Sequence, residues 1–446
     1  MFSQNIKLFN FTSSIHILSF FMKKLLFLIV LISICSFRTF AAFEDNFENK
    51  TLRIDYVHSG NITEEFYAMD ELKEEPLWGG SKSNLTDTFN YGNYKFIAYD
   101  KASGKIIFQR NYSSLFAEWR STEEAKTTTK AFSETMVMPF PKAKIKTEFY
   151  SRDKKTNNWI KKFEYDIDPS SYFISHTMKN VCSNFKILYN GDPSKKVDIV
   201  IIPDGYTHAQ MPKFKKDCEK FAGYLFGASP YKENKNKFNL WGIEVASVDS
   251  GPVIPKENKW GNTVAETSFY TFDSERYLMT TENKAIHDIA ANAPYDEIII
   301  LVNTDKYGGG GIYNFYCTCA SDNEYSNYVF THEFSHNFAG LADEYYTSEV
   351  STEDFYPKDI EPWEPNITTL VHFDKKWKSM MDKNVPIPTP ATDKNKNVVG
   401  VYEGGGYEAK GVYRPYEDCS MKSISYNNFC PVCKKAIQNM IDFYTK

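Results

Sequence analysis

No long hydrophobic stretch runs through this 446-residue sequence: the one extended apolar run, residues 25–35, falls short of the ~20 residues that cross a bilayer. Basic charge is not in excess either. The 52 Lys and Arg are outnumbered by 57 Asp and Glu, the net charge is -5, and no Lys/Arg cluster offers a footprint for nucleic acid. Internal repeats and low-complexity segments are missing, and the glycine-rich stretch near residue 310 lacks the Gly-Lys-Ser/Thr that a phosphate-binding P-loop needs. Cysteine is scarce. Eight are present, and seven remain if the N-terminal segment is removed, an odd number that cannot pair completely.

What is present is core-forming material. Apolar residues make up 42% and charged residues 24%, a balance that supports packed cores and argues against disorder. The length exceeds what one hydrophobic core organises, so two domains behind a targeting segment are expected.

Residues 1–41 read as a signal peptide whose biological start is Met22. Lys23 and Lys24 precede the apolar run, and Thr39-Phe40-Ala41 offers small residues for cleavage. A membrane anchor is disfavoured by the shortness of the run, and a lipoprotein by Ile34 before Cys35. The expectation is an exported protein, periplasmic, secreted or cell-surface, with no membrane span after processing. In that setting close pairs such as Cys430 and Cys433 suit disulfides. A structural zinc site of Cys419, Cys430 and Cys433 competes with that reading and lacks an obvious fourth ligand.

From 43 to 180 the pattern is strands and turns: residues 94–100 and 105–112 flank a turn, and 143–150 and 159–166 form a second pair. A β-sandwich is expected here. Nothing in it concentrates chemistry, since His58 and His176 stand alone. Asn190 to Pro193 make a linker turn. From 190 to 446, buried-strand runs at 197–202, 238–245 and 297–302 alternate with helical patterns at 211–225 and 275–291. That alternation predicts an α/β domain with a central sheet.

Residues 331–346, THEFSHNFAGLADEYY, carry the chemistry. His332 and His336 lie one helical turn apart and can reach one metal ion. Phe330, Phe334, Phe338 and Leu341 form an apolar stripe that holds this helix to the core. Glu333 is placed to take a proton from water activated by zinc, which is the content of the HExxH motif. In the metzincin pattern HExxHxxGxxH a glycine turns the chain so that a third ligand returns to the metal. Here the glycine is Gly340, one residue late, and three further on stands Asp343. Asp343 is the expected third ligand, Glu344 its rival, and Glu361 or Glu364 weaker alternatives. Met421 is the candidate for a methionine turn beneath the metal. Tyr345, Tyr346, Tyr413 and Tyr426 are candidates for stabilising an oxyanion. Gly309, Gly310 and Gly311 suit a substrate rim, where an edge strand could pair with an extended peptide; a plain surface turn is the competing reading.

The chain resembles the IgA peptidase family of zinc metallopeptidases across nearly all of its mature length. The resemblance runs through Thr51-Leu52-Arg53-Ile54-Asp55-Tyr56, Leu115-Phe116-Ala117-Glu118-Trp119 and Pro139-Phe140-Pro141-Lys142 in the first half. In the second it includes Ile202-Pro203-Asp204-Gly205-Tyr206-Thr207, the glycine stretch, the helix from His332 to Tyr345, and Phe429-Cys430-Pro431-Val432-Cys433. It implies an α+β two-domain protein, an N-terminal β-sandwich followed by a metzincin-like α/β zinc metallopeptidase domain. It also implies one catalytic Zn2+ on His332 and His336, Glu333 as base, and an acidic residue of the Asp343-Glu344 pair completing the site. Ser335 and Asn337 depart from the usual glycine and serine at non-ligand positions. The function expected is a secreted endopeptidase acting on protein or glycoprotein substrates, with immunoglobulin A and mucin among the candidates. The alternative is a non-catalytic secreted or surface binding protein whose metal is structural.

Overall fold

The computed structural model describes residues 43–346, 355–424 and 428–446; the expected signal peptide and Tyr426 lie outside them. Residues Asn46–Lys446 form one compact unit. Its first part is β-rich. Strands β1 (Phe47–Gly60), β2 (Glu65–Glu75), β3 (Tyr94–Asp100), β4 (Ile106–Tyr112), β5 (Lys130–Pro141), β6 (Ile145–Arg152) and β7 (Trp159–Ile167) make two antiparallel sheets, ordered β2-β1-β5 and β4-β3-β6-β7. Both hairpins read from the sequence are there. Aromatic residues join the sheets: Phe149 of β6 meets Tyr56 of β1 edge-on at 4.9 Å and lies 5.7 Å from Tyr67 of β2. Aromatic side chains bury large area per residue, so a few such contacts hold two sheets together. A short helix α1 (Leu115–Trp119) follows β4.

The second part is α/β. Strands β8 (Ser183–Leu188), β9 (Val197–Asp204), β10 (Phe238–Glu244), β11 (Glu297–Val302), β12 (Gly309–Ile312) and β13 (Tyr316–Ala320) form a six-stranded sheet ordered β12-β13-β11-β9-β10-β8. The four inner strands are parallel and both edges are antiparallel. All eight residues of β9 and all six of β11 are buried, as expected for parallel strands covered on both faces. Helices α2 (Met211–Leu225), α3 (Asn283–Ala290), α4 (Ser326–Ala339) and α5 (Pro431–Thr445) belong to this part, with a hairpin of β14 (Tyr402–Gly405) and β15 (Glu408–Arg414). β8 precedes the expected linker turn and joins this sheet by pairing with β10.

The helix expected over 275–291 is shorter than its pattern. Tyr277 bridges Gly309 and Met279 bridges Ser268, so 276–279 runs along sheet edges, where Leu278 and Met279 are buried. The competition was tertiary: the backbone N–H of Leu278 donates to Gly309 at the edge of β12 instead of to its own chain.

The two parts are tied by buried polar contacts. Arg53 of β1, fully buried, donates to Asp288 of α3 at 2.7 Å and to Asp55 at 2.8 Å, and Lys73 of β2 pairs with the same Asp288. The Asn314 side chain donates to the Asn111 carbonyl at 2.7 Å. Among the described residues, no helix is long and apolar enough to cross a membrane.

Candidate metal centre

Helix α4 presents the motif because its other face is committed to the core. Phe330, Phe334, Phe338 and Leu341 are all buried, and the Phe334 and Phe338 rings stack at 5.4 Å. Each buried phenylalanine stabilises that docking by roughly 1.5–3 kcal/mol. The helix ends at Gly340, whose φ of 61° is left-handed and whose N–H closes on the His336 carbonyl. A β-carbon there would come within 3.0 Å of the Trp363 ring. Glycine therefore serves both the turn and the packing.

After that turn the chain brings Asp343 back to the histidines. Asp343 Oδ1 lies 3.0 Å from His332 Nε2 and 3.3 Å from His336 Nε2, and the two Nε2 atoms are 3.1 Å apart. Both Nδ1 atoms face backbone carbonyls, Ser420 at 2.9 Å and Leu341 at 2.5 Å. A carbonyl only accepts, so each Nδ1 carries the proton and each Nε2 turns a lone pair toward the other donors. Asp343 Oδ1 correspondingly has no hydrogen-bond donor among the described residues. With both imidazoles neutral, these three atoms are all acceptors with no proton between them, an arrangement that fits a cation. Tetrahedral zinc, with bonds to nitrogen or oxygen of ~2.0–2.1 Å, separates its ligands by about 3.3 Å. The residues present fit that ion.

The electrostatics agree. Burial works to lower the His336 pKa, but the charges of Asp343 and Glu333 outweigh it and raise it to about 9. Burial likewise opposes ionisation of Asp343, and the two histidines hold it well below the carboxylate range. In the bare protein the site favours a positive charge between these groups. Glu333, partly exposed, lies between the histidines in sequence, and its backbone contacts the glycine strand. A β-carbon at Gly311 would collide with the Glu333 carbonyl at 1.9 Å, and one at Gly309 would touch the Glu333 side chain. The glycines therefore let β12 lie directly against α4. The outer edge of β12 is already bonded at Gly309, whose N–H donates to Arg276 at 3.2 Å and whose carbonyl accepts from Leu278. Peptide pairing at that residue is blocked.

Glu344 faces the other way. Its Oε1 lies 3.1 Å from Cys433 Sγ, and it groups with Cys419 and Cys430 instead of the histidines. Glu361 accepts from the His372 N–H and Glu364 from the Tyr356 hydroxyl, so both are engaged elsewhere. Met421 is fully buried and its carbonyl accepts from the Glu344 N–H at 2.7 Å. None of the seven described cysteines forms a disulfide, Cys430 and Cys433 included.

Three residues near the site escaped the sequence reading of the motif. Tyr407 donates to Asp343 Oδ2 and stacks edge-on against Tyr345, whose hydroxyl accepts from Arg276 at 3.3 Å. That links Tyr345, of the four tyrosine candidates, to the carboxylate that faces the histidines. Tyr346 packs instead near Gly404 and Arg414. Glu118 comes from α1 in the β-rich part and accepts from the Tyr277 hydroxyl. Burial raises its pKa to about 7 against that bond and the charge of His336, with Glu333 and Asp343 adding to the rise. No local spacing marks Tyr407, Arg276 or Glu118; only the family-like segment around Glu118 could have drawn notice.

Comparison with known proteins gives two matches. Residues 185–397 and 391–441 match the family described as IgA Peptidase M64, and residues 42–164 match the one described as Peptidase M64 N-terminus. No curated protein matches the chain.

Proposed function

From the premise that the chain belongs to the IgA Peptidase M64 family, we propose that it is an exported zinc-dependent endopeptidase. The carrying observation is the convergence of His332 Nε2, His336 Nε2 and Asp343 Oδ1 within 3.3 Å of one another, beside Glu333. A zinc ion held by these three donors supplies Lewis acidity toward a peptide carbonyl and toward water. Glu333 accepts the proton of the attacking water and returns it to the leaving amine. The Ser420 and Leu341 carbonyls keep the imidazoles in the productive tautomer. Tyr345, braced by Arg276 and Tyr407, is assigned to the developing oxyanion. Met421, whose carbonyl accepts from the Glu344 N–H, is assigned the methionine-turn role.

In this proposal residues 1–41 direct export, 43–180 act as a β-sandwich accessory domain and 190–446 as a metzincin-like catalytic domain. Secreted glycoproteins such as immunoglobulin A or mucin are the substrate class. The test is hydrolysis of immunoglobulin A, mucin and casein with and without a chelator. Chelator-sensitive cleavage supports the reading. Failure to cut any of them while zinc stays bound would favour the non-catalytic binding protein.

A further inference from the structure

Behind the histidine cluster lies a second group of metal-ligating side chains. Glu344, Cys419, Cys430 and Cys433 each offer a ligand atom, all within 4.8 Å of one another, and all four residues are at most 2% exposed. They arrive from three segments: the loop after α4, the turn before Met421, and the N-terminus of α5.

We propose that these four residues hold a second metal ion, a structural zinc, that locks the Asp343 carboxylate and a histidine-orienting carbonyl in place. Four observations carry it. The Cys419 and Cys433 sulfurs are 3.8 Å apart. A disulfide needs about 2.05 Å, whereas two thiolates bound to tetrahedral zinc at ~2.3 Å stand about 3.8 Å apart.

Backbone N–H groups point at the sulfurs. The Cys430 N–H donates to Cys419 Sγ at 3.2 Å, and the Cys433 N–H donates to Cys430 Sγ at 3.4 Å across the first turn of α5. Such donors, at the positive end of a 15-residue helix, stabilise thiolates, the form that binds metal.

Glu344 supplies the fourth ligand that the three cysteines lack in sequence. Its Oε1 accepts from Asn366 at 3.0 Å and lies against Cys433, but its Oε2, fully buried, has no hydrogen-bond partner among the described residues. A buried carboxylate oxygen left without a donor is costly. The nearby Arg414 spends its guanidinium on the carbonyls of Glu403, Gly404 and Glu417. A cation among the sulfurs would neutralise this buried carboxylate, whose Oε1 already lies against Cys433.

The fourth observation is the coupling between the two clusters. Asp343 and Glu344 are consecutive, as are Cys419 and Ser420. Asp343 faces the histidines and Glu344 the cysteines; Cys419 joins the cysteines, while the Ser420 carbonyl orients His332. The Glu344 N–H to Met421 carbonyl bond stitches the two segments together. With four protein ligands and no opening to solvent, the second site has the closed form of a structural zinc centre.

The experiment strips the full chain of metal and reloads it with cobalt(II). The histidine site contains no sulfur, so thiolate-to-cobalt charge-transfer absorption in the near ultraviolet reports the cysteine site whether or not the protein cuts peptides. Wild type is expected to bind two metal ions and show that absorption. The double variant H332A/H336A should keep the absorption with one ion, and C433S should lower it by the share of one of three thiolates or abolish it with loss of the ion. Glu344→Gln should retain the absorption with altered ligand-field bands and weaker metal binding. No charge-transfer band in the wild type overturns the proposal. So does a mass under non-reducing conditions that reveals a disulfide among these cysteines. If C433S does not fold, the wild-type and E344Q spectra decide.

Discussion

Asp343 and Glu344 stand side by side in the chain yet serve two clusters of opposite character. The histidine cluster is partly open: the His336 side chain is 15% exposed and Glu333 is partly exposed beside it. The cysteine cluster is sealed, with Cys419 and Cys433 at 0%. Three ligands at an accessible site leave room for water and substrate, while four buried ligands leave none. The difference teaches that accessibility, more than ligand chemistry, separates a reacting centre from a bracing one. Here the bracing cluster holds the very residues that shape the reacting one.

The largest effect is expected at the base. Glu333→Gln should lower kcat by roughly 10²–10⁴-fold while zinc content, measured by elemental analysis, stays that of wild type. Asp343→Ala should follow: it removes a ligand from the open site, so that zinc and hydrolysis are lost together while cysteine-site absorption survives. Glu344→Ala reverses the pattern, keeping metal on the histidines but lowering the melting temperature, because metal binding at a structural site is folding free energy. Were Asp343→Ala to retain histidine-site zinc and Glu344→Ala to lose it, the two carboxylates would exchange roles.

Both clusters depend on α4 being docked. Phe334→Ala should cost about 3–5 kcal/mol in chemical denaturation and weaken the two sites in parallel.

The smallest effect sharpens the contrast with a buried carboxylate that has no sulfur or imidazole partner. Asp198 of β9 accepts from Trp241 at 2.7 Å and sits near Asp296. Burial and the Asp296 charge push its pKa up to about 8. A carboxyl whose pKa rises on folding contributes stability that is fully present below its unfolded value near 4 and is lost as pH rises through about 8. Asp198→Asn should therefore flatten the fall in melting temperature between pH 5 and 8. Burial pushes Asp198 toward its protonated form, whereas Glu344 and Asp343 are arranged for a cation.

Much of the candidate site was legible in the sequence. The pairing of His332 with His336 and the apolar stripe through Phe334 follow from a 3.6-residue repeat, which any stable helix here must obey. Gly340 reads as a turn for the same local reason. The strands at 197–202 and 297–302 were visible as runs apolar apart from Asp198 and Glu297, since a strand buried on both faces shows little polar alternation. The helix expected at 275–291 misled because sheet-edge pairing at Tyr277 and Met279 overrode its periodicity.

The sequence alone showed which side chains could bind a metal and how those within one helical turn face each other, because that geometry is local. Only the tertiary structure decided that Asp343 turns to the histidines and Glu344 to the cysteines. It alone brought Cys419, Cys430 and Cys433 onto a glutamate 75 to 89 residues away. It also delivered Glu118 from the β-rich part to the edge of the site. Neighbouring carboxylates are chemically alike, so the direction each takes is set by packing, and packing joins segments whose separation leaves no spacing to read.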